Sequence, residues 1–246
     1  GILRWSVELG RIDLAYTAST MAKFMVQPRQ GHLWALLRVF AHIKLHLRSK
    51  LVLDPIPREW ETSRFKEASW KESYPDATEP IPTNMPTPRG KKVQINMFCD
   101  ASHATCKVSR RSTTGVVIFI NGGPVQWYSK RQNTIESSTF GSEFVALRIA
   151  TEMNEALRYK LRMFGIPIDG PTNTFVDNES VVNNSINPAS TLTKKHNAIA
   201  YHKVRESVAA GAIRVAFEEG KKNLSDLLTK FLPATAHKRC CQKILY

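Results

Sequence analysis

Nowhere in the 246 residues does an apolar run reach the roughly 18 to 20 positions that a bilayer-crossing helix needs, so no segment reads as a membrane span. Cysteine is scarce. The four thiols, Cys99, Cys106, Cys240 and Cys241, have no paired-ligand spacing, and two are neighbours in a basic tail, which argues against a disulfide framework. Cys99, Cys106 and the intervening His103 amount to three donors, one short of a structural zinc site. Acid is in deficit too: 21 Asp and Glu stand against 35 Lys and Arg, a formal charge of +14. That imbalance exceeds what solubility asks for and points to an anionic polymer as partner, nucleic acid before a membrane surface. No charged leader or cleavage signal opens the text, so the expectation is an intracellular protein, in a cytoplasmic particle or the nucleus, read from within a longer polypeptide.

Present instead is enough apolar residue, 42% of the chain, to bury a core. Residues 1–53 read as helical. Ile12, Leu14, Ala15, Ala18, Met21, Ala22 and Met25 recur at three and four spacing until Pro28, and a second helix passes through Leu33, Leu36, Leu37, Phe40 and Leu45. No catalytic constellation lies there, and His32, His42 and His46 read as packing or surface residues, not ligands. Residues 54–90 are rich in proline and form a surface linker, which Trp60, Phe65 and Trp70 pin to a neighbour unless a short helix runs from Thr62 to Ser73.

From Lys92 the rhythm changes to period two. Val93, Ile95, Met97 and Cys99 share a face of a strand ending at Asp100. Thr113 to Ile120 and Pro124 to Ser129, joined at Asn121-Gly122-Gly123, make a hairpin, so the first three strands form a meander. A long helix covers about Ser138 to Met163. A short strand from Asn173 to Val176 closes at Asp177, a short helix covers Asn178 to Ile186, and a further helix covers about Lys195 to Ala210. A strand from Ala212 to Phe217 follows, then a helix over Asn223 to Lys230 and a basic helix after Pro233. The expected domain is an α/β unit over residues 91–246, a mixed five-stranded sheet of three antiparallel and then parallel strands, flanked by helices.

Four acids sit at the edges of these elements: Asp100, Glu143, Asp177 and Asp226. Singly, each reads as a cap or a surface group; Asp177 could cap the next helix and Asp226 could pair with Lys230. In the order strand, helix, strand, helix they converge on one side of the sheet, which is costly unless a divalent cation neutralises them. Oxygen donors without His or Cys select two Mg²⁺, or Mn²⁺, and such a site on a basic protein suits phosphodiester hydrolysis.

The local text carries a resemblance. Phe98-Cys-Asp-Ala-Ser102, Arg111-Ser-Thr-Thr-Gly115, Trp127-Tyr-Ser-Lys-Arg-Gln132, Val176-Asp-Asn-Glu-Ser180 and Asn223-Leu-Ser-Asp-Leu-Leu-Thr-Lys230, with the run from Glu136 to Leu147, cover nearly all of residues 92 to 232. They resemble the ribonuclease H region of copia-type long-terminal-repeat retrotransposon polyproteins, and residues 1–53 resemble the helices that follow the polymerase palm. The palm motif itself is absent. The resemblance implies a ribonuclease H fold, the four acids as catalytic metal ligands, the RNA strand of an RNA/DNA hybrid as substrate, and an upstream reverse transcriptase domain as partner. This chain departs from the family at Phe140, where another acid is frequent. It also lacks a histidine before Asp226.

Arg110, Arg111, Lys130, Arg131, Gln132 and Asn178 are the expected nucleic-acid contacts, with Trp127 and Tyr128 beside them and His103 and His196 as lesser candidates. Two rivals stand against a nuclease of this type. A catalytically inactive binding fragment would keep fold and charge; an integrase-type nuclease would need a later acid than Glu179, which lies too near Asp177.

Overall fold

The computed structural model describes residues 1–192 and 195–245. Five strands form one sheet in the order β3-β2-β1-β4-β5: β1 (Ile95–Ser102), β2 (Thr113–Ile120), β3 (Gly123–Arg131), β4 (Thr172–Val176) and β5 (Ile213–Phe217). The first three are antiparallel, and β1 with β4 and β4 with β5 are parallel. This is the expected ribonuclease H-like sheet. Pro124 is tolerated because β3 is an edge strand, where a missing N–H costs no ladder bond. The first strand runs two residues past Asp100, because Ala101 and Ser102 still pair with Thr114 and Thr113.

Strand alternation sorts the core into two layers. Ile95, Met97 and Cys99 point to the face covered by α4 (Thr139–Met163), α5 (Glu179–Ile186) and α6 (Ala198–Ala209), where Phe144, Leu147 and Ala150 meet them. Phe98, Val117, Phe119 and Phe175 point to the opposite face. The N-terminal helices cover that face, together with residues 224–228 and α7 (Ala234–Cys241).

The N-terminal segment is more broken than its periodicity predicts. Besides α1 (Ile2–Glu8), a 3₁₀ turn at Ile12–Leu14 precedes α2 (Ala15–Ala22), and α3 (Gln30–Leu45) follows Pro28. Val7, Ile12, Leu14 and Ala15 are buried in the same core as the sheet, and Trp127 Nε1 on β3 donates to the Val7 carbonyl at 3.1 Å. Among the described residues no helix is long and apolar enough to cross a membrane.

The proline-rich stretch crosses the sheet in close contact with it. Of the two readings left open for this segment, the aromatic anchors hold and the helix from Thr62 to Ser73 is only a 3₁₀ turn at Thr62–Arg64: Trp60 and Phe65 pack on Phe175 at ring-centroid distances of 4.4 and 5.8 Å. Farther along, Glu79 is gripped by two arginines of α4, Arg158 at 2.5 and 2.9 Å and Arg162 at 2.5 and 2.6 Å.

Candidate metal centre

Because β1 and β4 are parallel neighbours, their C-terminal ends emerge on one edge of the sheet, where ligand sites of open α/β sheets form. Asp100 lies near the end of β1 and Asp177 directly follows β4. α4 crosses β1 with Ser138 as N-cap, its side chain accepting from the Gly141 N–H at 3.2 Å, and this start places Glu143 over the same edge. Oxygen atoms of Asp100, Glu143 and Asp177 all lie within 4.8 Å of one another. Glu143 is further held by the Ala101 N–H, which donates to Oε2 at 3.1 Å.

These carboxyls are under electrostatic pressure. Burial pushes Glu143 well above the usual carboxylate range, and the charges of Asp100 and Asp177 add to it. Burial and Asp100 lift Asp177 to about 6, against the pull of Lys230. Cys99 sits next to Asp100 in sequence, but burial and the same carboxylates raise its thiol, so it offers no thiolate. What remains is an all-oxygen, mutually repelling donor set, which fits a hard divalent cation such as Mg²⁺ or Mn²⁺.

Asp226 stands beside this trio. The expected helix around it is a 3₁₀ segment, Leu224–Leu228, in which Asn223 caps by accepting from Ser225 N–H at 3.1 Å. Burial and the Asp100 charge lift the Asp226 carboxyl to about 7, while Lys230 opposes the rise. Lys230 Nζ lies 2.6 Å from Asp226 Oδ1 and 3.7 Å from Asp100 Oδ2, and the Thr229 hydroxyl donates to Asp100 Oδ2. The sequence pattern does not single out Thr229, and the expected Asp226–Lys230 pair is present. The four-residue spacing from Asp226 shows only a pair, whereas the fold shows a cation shared by two acids.

A glycine sets how closely this segment approaches. Gly115 on β2 pairs with Asp100, and a Cβ there would stand 2.6 Å from Thr229 Cγ2, 2.8 Å from the Ser225 carbonyl and 2.9 Å from Leu228 Cβ. A main-chain oxygen cannot swing aside, so Gly115→Ala is expected to cost about 1–3 kcal/mol of stability through overpacking and to move Asp226 away from Asp100. Urea unfolding measures the first effect and Mn²⁺ affinity the second; an unchanged value for both would show the contact is soft.

Of the expected nucleic-acid contacts, Arg110 and Lys130 are exposed and Arg111 and Arg131 half-buried, with Arg131 Nη1 3.5 Å from Ser109 Oγ. Gln132 is placed differently from expectation. It is buried, its Nε2 donating to Thr114 Oγ1 at 3.0 Å and to the Ser142 carbonyl at 2.9 Å, so its amide joins β2 to α4 and is not available to a phosphate. Asn178 caps α5 by accepting from Val181 N–H at 3.2 Å, which leaves Asp177 free of that duty. Trp127 and Tyr128 pack against opposite cores. His103 contacts Ser142 Oγ at 3.3 Å, and His196 pairs with Glu136 at 3.4 Å, so neither belongs to the trio. Phe140 packs on Phe144 at 5.0 Å, a packing residue at the helix start.

No family model matches the chain. It is 24% identical over 234 residues to the retrovirus-related Pol polyprotein from transposon RE1 of Arabidopsis thaliana, covering 95% of this chain and 14% of that protein. It is 29% identical over 146 residues to the corresponding polyprotein from transposon TNT 1-94 of Nicotiana tabacum, covering 58% of this chain and 11% of the relative. The chain thus spans a small part of the length of these relatives. Among solved structures it is similar to LC11 ribonuclease H1 in complex with an RNA/DNA hybrid, at a TM-score of 0.44 and 17% identity, over 55% of this chain and 94% of that one. The sheet order, the motifs and these relatives agree: the chain's homologues are the Pol polyproteins of copia-type retrotransposons, and it corresponds to a small part of their length.

Proposed function

We propose that this chain is a metal-dependent ribonuclease H that cleaves the RNA strand of an RNA/DNA hybrid, as part of a polyprotein whose reverse transcriptase domain precedes it. The observation that carries the reading is the buried trio Asp100, Glu143 and Asp177, with oxygens within 4.8 Å of one another and Asp226 alongside. These four side chains would hold the ions. When bound, two Mg²⁺ supply an activated water and charge stabilisation for the departing 3′ oxygen. The chain's own part is orientation. The Ala101 N–H fixes Glu143, Thr229 fixes Asp100, and Lys230 offsets the repulsion between Asp100 and Asp226. Arg110, Arg111, Lys130 and Arg131 would hold phosphates, and the 2′-hydroxyls in the wide minor groove would mark the RNA strand.

Incubation of the full chain with Mg²⁺ and a hybrid labelled in its RNA strand is expected to yield cut RNA, intact DNA and full inhibition by chelation. A folded sample that leaves the RNA whole overturns the reading. One observation favours the rival binding fragment: the Lys230 ammonium lies within 4 Å of both Asp226 and Asp100, where a second cation would compete with it. That rival predicts hybrid binding without cleavage.

The basic side chains make a separate prediction. Replacing exposed Arg110 and Lys130 together by Gln is expected to make the plot of log affinity against log salt shallower by about 2, since each phosphate contact contributes a slope of about 0.9. Fluorescence anisotropy with a labelled hybrid measures it; an unchanged slope places the hybrid elsewhere.

A further inference from the structure

The proline-rich linker reaches the sheet edge that carries the acids. Strands β4 and β5 are parallel and in register at Val176 and Phe217, so Glu218 emerges level with Asp177. From there residues 218–223 lead toward Asp226 and touch the chain immediately before two of the other acids. The Glu218 N–H donates to the Val176 carbonyl at 2.9 Å, and Asn223 Nδ2 donates to the Cys99 carbonyl at 3.1 Å. Between these contacts the loop passes close to Asp177 itself, since a Cβ on Gly220 would stand 3.2 Å from Asp177 Oδ2. The N–H groups of Lys222 and Asn223 close the turn on the Glu219 carbonyl at 2.7 and 3.1 Å. A shift of this loop therefore bears on Asp177, Asp100 and Asp226 together.

One further anchor of the loop comes from the linker. Arg64 Nη2 donates to the Phe217 carbonyl at 2.6 Å and to Glu218 Oε2 at 3.2 Å, so a single guanidinium holds main chain and side chain where the loop begins. Glu218 is buried at an edge already crowded with carboxylates, and Arg64 supplies its counter-charge. Packing aims the guanidinium in turn, its carbon lying 5.1 Å from the ring centre of Phe175 and 5.9 Å from that of Trp60. Phe175 is on β4 two residues before Asp177, so the clamp and the acid share one strand. We propose that Arg64 is a positioning residue of the metal centre, holding the 218–223 loop so that Asp177 and Asp226 keep their places relative to Asp100. It acts through Glu218 and the Phe217 carbonyl, as partners one step removed from a ligand govern affinity in metal sites generally. The proposal rests on the metal-dependent reading given above.

Hydrogen exchange without metal, Mn²⁺ affinity and hybrid cleavage, all on the full chain, test it. In Arg64→Gln the amides of Glu218, Lys222 and Asn223 should exchange faster in the metal-free protein. Mn²⁺ binding should weaken about 10-fold, and kcat should fall by a similar factor with KM for the hybrid unchanged. Arg64→Lys, which keeps the charge and a donor, should recover most of the loss. Loop exchange and Mn²⁺ affinity equal to the parent's in a folded Arg64→Gln chain overturn the proposal, whatever the melting temperature does, because Arg64 then only fastens the linker. Should Arg64→Gln not fold, Glu218→Gln breaks the same ion pair from the other side and keeps the Phe217 contact; weaker Mn²⁺ binding is expected there, and parent affinity overturns the proposal. A parent chain that binds Mn²⁺ and cleaves no RNA defeats the ribonuclease reading instead, and the exchange and affinity results then decide the role of Arg64 by themselves.

Discussion

Asp177→Asn is expected to abolish hybrid cleavage while leaving the metal-free protein as stable as before, or more so. Asp177 shares the sheet edge with Asp100 and Glu143, and its carboxyl is lifted to about 6 because burial and Asp100 both disfavour its charge. An amide of the same shape removes that repulsion from the metal-free fold. It also removes an anionic ligand, for which several kcal/mol of transition-state stabilisation is a fair magnitude; about 4 kcal/mol is about a thousandfold in rate. Single-turnover cleavage in Mg²⁺ and a thermal melt in chelator together read the two effects. Activity within tenfold of the parent would remove Asp177 from the catalytic set, and a large drop in melting temperature would make its role structural.

Glu79→Gln is expected to have the largest effect on stability. The Arg158 guanidinium is only 3% exposed, and Glu79 meets it and Arg162 together. Breaking a buried pair by neutralising one partner strands the other charge, at a cost of about 3–5 kcal/mol. Arg158 keeps the Gly170 carbonyl at 3.0 Å and Thr172 Oγ1 at 3.2 Å, which places the loss toward the lower end. The two guanidinium groups outweigh burial and hold the Glu79 carboxyl at about 2 against an ordinary 4.5. A lowered carboxyl pKa stabilises the fold fully above the unfolded value and loses that contribution as pH falls toward the folded value. The stability difference between parent and Glu79→Gln should therefore be constant above about pH 5 and shrink between about 4.5 and 2. Urea unfolding at stepped pH measures it, and a difference that does not narrow on acidification would mean the pairing is not ionic.

Much of this architecture was open to reading in the linear text, because periodicity is local. Ile95, Met97 and Cys99 alternate, and the face they define is the one α4 covers. The acids were legible for a related reason: a strand end or helix start fixes where a side chain emerges, so the pattern places Asp100, Glu143, Asp177 and Asp226 on one edge, where the first three cluster and Asp226 stands beside them. Gln132 was misread because a polar residue within a basic run looks like surface; its burial depends on Thr114 and Ser142, whose positions no local pattern supplies. The linker was legible in part: Trp60 and Phe65 do pin it, but their partner Phe175, and the Arg158 that holds Glu79, lie far away in sequence where no local pattern reaches. Arg64 and Glu218 are separated by most of the chain, and their meeting is a product of topology alone.

The bridge between Leu51 and Leu245 has a consequence for how the molecule is made. Residues near the two ends complete a shared core in which Val7 and Ile12 lie with Ile244 and Leu245. During synthesis α1 and the turn at Ile12–Leu14 therefore leave the ribosome well before Ile244 and Leu245 are made, and part of their apolar face stays uncovered until then. Contacts of such long sequence separation close slowly, because the loop entropy must be met before they form. The sheet and α4 would be the early structure, and docking of α1 against residues 244–245 the late step, the stage at which a folding chain is most exposed to aggregation.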